Sequence, residues 1–268
     1  MKRWTQLGLG TILAGGALAA CSSGADDQKQ DNNRDTQASA PVTTWTGGEG
    51  EGGVSIDAAA TSPVVYNSAL AIVEAHVLAA RDAYALGERQ TAAEMFAHPV
   101  SEVLHDMQSI FRKQGVDDFT PLLTAASAAA LAGETDSQIN AHTDKILAAL
   151  RAASNKAPAD GKSDVAIAAG VAVDQISRAA DMYRAASESR QYAPYLDGYG
   201  FYKAGEAAFL RVEKALDSQD GRAADAIREA LARLGKAYPS AKATEKLDAD
   251  ASELTAYSSK ALLAISNL

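Results

Sequence analysis

The chain has 268 residues, with 25 Lys and Arg against 34 Asp and Glu for a net charge of −9, and one cysteine. So acidic a balance makes nucleic acid and anionic lipid headgroups poor partners. A lone cysteine excludes an internal disulfide, cysteine-clustered zinc and iron–sulfur ligation.

The N-terminus carries Lys2 and Arg3, then an apolar run from Leu7 to Ala20, ending in Leu18-Ala19-Ala20-Cys21. A basic start, an apolar stretch too short to span a bilayer and small residues at its end follow the pattern of a secretory signal. With the sole cysteine placed directly after the small residues, the segment resembles a bacterial lipoprotein signal. That resemblance implies removal of residues 1–20, a lipid on Cys21, and attachment to the membrane through that lipid. Ser22 stands where lipoproteins kept at the inner membrane carry Asp. By resemblance this favours the outer membrane, on its periplasmic or surface face. An acylated Cys21 would also leave no thiol for catalysis. Residues 21–61 are polar and lack apolar periodicity, so they are expected to form a lipidated flexible tether, with Trp45 and a glycine-rich run at 47–53 inside it. No further long apolar segment is expected, so the protein reads as anchored to the membrane rather than spanning it.

From Pro63 onward Ala, Leu, Val, Glu, Lys and Arg dominate and strand signals are few, which predicts an all-α domain. Breaks at Gly87, Pro99, Gly115, Gly133, 155–161, 187–194, 217–221 and Tyr238-Pro239 divide it into about eight helices, an up-down helical bundle. An offset of 99 residues lays Phe96, Val100, Val103, Met107 and Ile110 onto Tyr195, Tyr199, Tyr202, Glu206 and Phe209. Both sets have the spacing of one helical face. The expectation is two duplicated four-helix units, residues 62–157 and 160–268.

Four histidines are available for chemistry. His76 falls on the shoulder of the first helix's apolar seam, half-buried, where a histidine either bonds a neighbouring carbonyl or serves as a ligand. His98, Glu102 and His105 follow steps of four and three, and Glu-x-x-His is a spacing with which helical bundles hold iron or manganese. On a regular helix this stripe lies opposite the seam, so a solvated polar face is the competing reading. A second candidate stripe is Tyr195, Tyr199, Tyr202 and Glu206, in which the carboxylate occupies the seam position of Met107. A carboxylate there must be hydrogen-bonded, protonated or coordinating. The reading is either a Tyr–Glu network or a site for Fe³⁺ or haem iron. His142 lies in a polar stretch and is expected to be exposed.

The chain holds no His-Glu-x-x-His, Gly-x-Ser-x-Gly, phosphate-loop or dinucleotide motif, which argues against an enzyme. A lipidated, acidic, duplicated helical chain with a His/Glu cluster in its first half is similar to the imelysin and EfeO-like group of periplasmic iron-uptake proteins. Tyr199-Gly200-Phe201-Tyr202-Lys203-Ala204 resembles their later helices. Their Gly-x-His-x-x-Glu signature has its nearest counterparts here in His98 with Glu102 and Glu102 with His105. The resemblance implies binding of iron, as ion or haem, for uptake or relay, with an outer-membrane transporter as a candidate partner. The competing class is a non-enzymatic scaffold in an outer-membrane complex.

Overall fold

The computed structural model describes residues 53–243 and 246–268. The expected signal peptide, Cys21 and the tether up to residue 52 lie outside them. Among the described residues there is no strand, and the elements in order are α1 (Ile56–Ala59), α2 (Pro63–Ala85), α3 (Arg89–Pro99), a π-helical turn (Val100–Leu104), α4 (His105–Lys113), α5 (Thr120–Ala132), α6 (Asp136–Ser154), α7 (Asp164–Ser189), α8 (Tyr192–Gln219), α9 (Gly221–Ala237) and α10 (Ala251–Ala264). This is the all-α bundle that the sequence predicts.

Local chemistry sets the helix ends. Ser62 caps α2, with Pro63 in its first turn. Thr135 and Gln138 form a reciprocal capping box on α6. Ser163, Asp220 and Asp250 accept backbone N–H bonds at the starts of α7, α9 and α10. Gly133 closes α5 at φ 74°, a left-handed conformation open to glycine without strain.

Order begins earlier than the expected domain start at residue 62. Ser55 caps α1, Ala59 is fully buried, and Val54 and Ile56 pack against the core. Residues 54–61 therefore belong to the folded part and not to the expected tether, because three apolar side chains within six residues suffice to dock them.

α2 is the central helix, packed against α3, α6, α7 and α8. By length and composition it is apolar enough to cross a bilayer, contrary to the expectation that no such segment follows residue 20. Its most apolar window is 78% buried inside the bundle, so it is a helix apolar all round because partners surround it. Alanines and glycines let these partners approach closely. At Gly200 of α8, a Cβ would lie 2.4 Å from the Ala75 carbonyl oxygen of α2. Tyrosine hydroxyls pin the layers: Tyr199 donates to Asp82 at 2.7 Å, Tyr66 to the Ala153 carbonyl at 3.1 Å and Tyr238 to the Ala179 carbonyl at 2.8 Å.

The described residues fall in one compact unit. Following α1, the loop at 155–163 leaves four helical segments before it and four after it, once α3, the π turn and α4 are taken as one bent helix. That bend originates at Pro99, which has no N–H for the helical ladder. The turn widens to compensate, and the His105 N–H donates to the Val100 carbonyl five residues back.

Candidate metal centre

The π turn changes which side chains share a face. One surplus residue in a helix rotates everything beyond it by about 100° relative to regular geometry. His98, before the turn, and Glu102, within it, lie close to His76 of α2, whereas His105, after it, points to solvent and is exposed. The predicted stripe of His98, Glu102 and His105 does not exist as one face. Two of its members join His76 instead.

His76 is only 1% exposed, deeper than the half-buried position expected for it. Its Nδ1 lies 2.8 Å from the Ile72 carbonyl oxygen, which can only accept, so Nδ1 carries the proton and Nε2 presents a lone pair. Nε2 is 3.5 Å from Glu102 Oε2 and 3.6 Å from Asp197 Oδ1. The His98 ring stands 6.0 Å from the His76 ring, nearly perpendicular to it. One donor atom each from His76, His98 and Asp197 all lie within 4.8 Å of one another. His76 Nε2 and His98 Nδ1 are buried and make no hydrogen bond among the described residues. A buried polar atom left so is costly unless something else satisfies it.

These donors come from three separate parts of the fold: α2, the α3–π-turn bend and α8. The close approach at Gly200 brings Asp197 within reach of His76. Phe201, one turn after Asp197, sets its ring perpendicular to His76 at 5.9 Å, and the Arg178 guanidinium lies over that ring at 5.8 Å from its centre. Burial in this apolar setting lowers the His76 pKa to about 4; the Ile72 hydrogen bond opposes this, and electrostatic repulsion from His98 and Arg178 adds to it. At neutral pH His76 is therefore uncharged, the form that ligates metal.

The spacing suits a single small ion. Ligands held at metal–N/O distances of about 2.0–2.2 Å in a tetrahedron lie roughly 3.3–3.6 Å apart. The two distances from His76 Nε2 fall in that range. Two imidazoles with carboxyl groups suit first-row ions such as Fe²⁺, Zn²⁺ and Mn²⁺, and Nδ1–H bonded to a carbonyl is the orienting second contact that ligating histidines have.

The tyrosine stripe does not converge. Tyr195 donates to the Ser240 carbonyl, Tyr199 to Asp82, and Tyr202 to Glu206. Glu206 is 33% exposed and also pairs with Lys203, so the seam carboxylate is partnered by its own helix neighbours as a Tyr–Glu–Lys network. Burial pushes Tyr195 and Tyr202 up to about 12, which keeps them phenols rather than phenolates at neutral pH. His142 is 24% exposed and lies 3.6 Å from Glu134, away from the cluster.

Asp197 is the residue that sequence reading missed. A signal for it was present: the offset of 99 residues on which the expected duplication rests carries His98 onto Asp197, and His76 onto the fully buried Gln175. Compared with known protein families, curated proteins and solved structures, the chain matches none.

Proposed function

We propose that this chain is a metal-binding lipoprotein of the bacterial cell envelope that takes one first-row divalent ion, iron foremost, at His76, His98, Glu102 and Asp197. The observation that carries the reading is the pair of buried imidazole nitrogens without hydrogen bonds, gathered beside two carboxyl groups from separate elements. An ion supplies at once the partner that both nitrogens lack. The tight spacing supports a bare ion over haem, whose macrocycle would have to stand between the donors. An anchor at Cys21 and the acidic chain suit capture or relay toward a membrane transporter rather than turnover of a substrate.

Equilibrium dialysis of the full chain against Fe²⁺ under anaerobic conditions, and against Mn²⁺ and Zn²⁺, tests this reading. The expected result is one ion per chain, lost in His76→Ala and Asp197→Asn. Absence of stoichiometric binding of all three ions would remove it in favour of a scaffold role.

A further inference from the structure

A second cavity lies apart from the metal centre. It is a groove of about 780 Å³ between α2, the end of α6, the 155–162 loop and the start of α7, with Arg211 of α8 at its edge. That volume falls in the range of small-molecule sites, roughly 300–1,000 Å³. Leu70, Leu147, Leu150, Ile167 and Val171 supply an apolar floor.

The charges along its rim differ in how they are engaged. Arg151 and Arg211 both line it and both act electrostatically on Glu74, whose side chain is only 17% exposed. Arg211 Nη1 is 3.9 Å from Glu74 Oε1, too long for a hydrogen bond. Among the described residues Arg151 forms no ion pair. Two guanidinium groups thus act on one carboxyl group beside an apolar trough. The other lining charges are occupied locally. Asp160 accepts from the Lys162 backbone N–H, Lys162 Nζ donates to the Leu268 carbonyl oxygen, and Asp164 sits in the first turn of α7, where the helix dipole favours it.

We infer that this groove binds an amphipathic organic anion, with a carboxylate held between Arg151 and Arg211 and an apolar body lying along Leu70, Leu150 and Ile167. Guanidinium groups pair with carboxylates bidentately, and the apolar floor gains from covering a hydrocarbon body. The site shares no residue with the proposed metal centre, so the two can fail separately.

Titration calorimetry of the full chain carrying Cys21→Ser, with decanoate as the probe and decyltrimethylammonium as its cationic counterpart, tests the inference. Decanoate is expected to bind saturably at one site per chain, at least tenfold more tightly than the cation. The double substitution Arg151→Gln with Arg211→Gln should weaken decanoate at least tenfold, and these arginines are exposed enough to replace without unfolding the chain. Ala168→Phe, at a half-exposed position lining the groove, should block it sterically, with thermal unfolding confirming the fold. No saturable decanoate binding, equal binding of the cation, or decanoate affinity unchanged by both sets of substitutions would overturn the inference.

Discussion

His76 Nε2 and Asp197 Oδ1 stand 3.6 Å apart although 121 positions of sequence separate their residues. The approach depends on α8 crossing α2 where Gly200 meets the Ala75 carbonyl.

Replacing His98 by Ala or Asp197 by Asn should weaken Fe²⁺ or Zn²⁺ binding at least tenfold, since ligands act together. His105→Ala should leave affinity within experimental error, because His105 is exposed and outside the cluster. Titration of the three purified variants with either ion checks this. Equal losses in all three would return the site to the stripe of a regular helix.

Gly200→Ala places a methyl group 2.4 Å from a backbone oxygen that cannot rotate away. The helices must separate, at a cost of about 1–3 kcal/mol typical of overpacking. A lower midpoint in urea unfolding, together with weaker metal binding, is expected. An unchanged midpoint would show that α8 can shift without strain.

The metal-free protein should lose stability as pH falls from about 6.5 toward 4. Unfolded His76 takes up its proton near its ordinary value, whereas the folded residue resists protonation until about 4. Between those values the unfolded state binds more protons, so stability is full above the upper limit and declines below it, by at most about 1.4 kcal/mol per pH unit. Urea unfolding of wild type and His76→Gln across pH 7 to 4, with a chelator present, isolates the effect as the difference between the two curves. Parallel curves would contradict it.

Pro99→Ala restores the missing N–H and permits a regular helix through residues 95–105. Relaxation of the π turn would rotate Glu102 off the cluster. The expected outcome is reduced metal affinity with thermal stability held or raised. Retained affinity would show that packing around Val103 and Leu104, rather than the proline, maintains the turn.

Cys21→Ser should abolish lipid labelling and move the protein to a soluble fraction, because no other cysteine can take an acyl chain. Radiolabelled palmitate incorporation and membrane fractionation check this. Undiminished labelling would discard the anchor.

Much of the fold could be read from the sequence because its boundaries are local chemistry. Ser62-Pro63, Thr135 with Gln138, and Gly133 act on neighbouring residues whatever the tertiary packing. The site was less accessible. His76, His98 and Glu102 could be picked out by residue type, but a helical wheel assumes a constant angle per residue. Pro99 breaks that assumption within the stripe itself, so His105 leaves while the other two lie close to His76. Asp197 sits in an aromatic and glycine-rich helix, and its role depends on how near α8 lies to α2. Glu206 illustrates the same limit from the other side. Its seam position is contested by Lys203 and Tyr202, which draw it to the surface.

Glu102 is 30% exposed and His98 is part-buried, whereas His76 and Asp197 are each 1% exposed. For the proposed ion this makes the centre a cup closed on the α2 and α8 side and wet on the side of the α3–π-turn bend. Water could replace the Glu102 carboxylate there, so loading and unloading would be ligand exchange at that side. On the proposed reading, the speed of handover would then be set at this wet side, and Glu102→Gln would change it more than any substitution in the core.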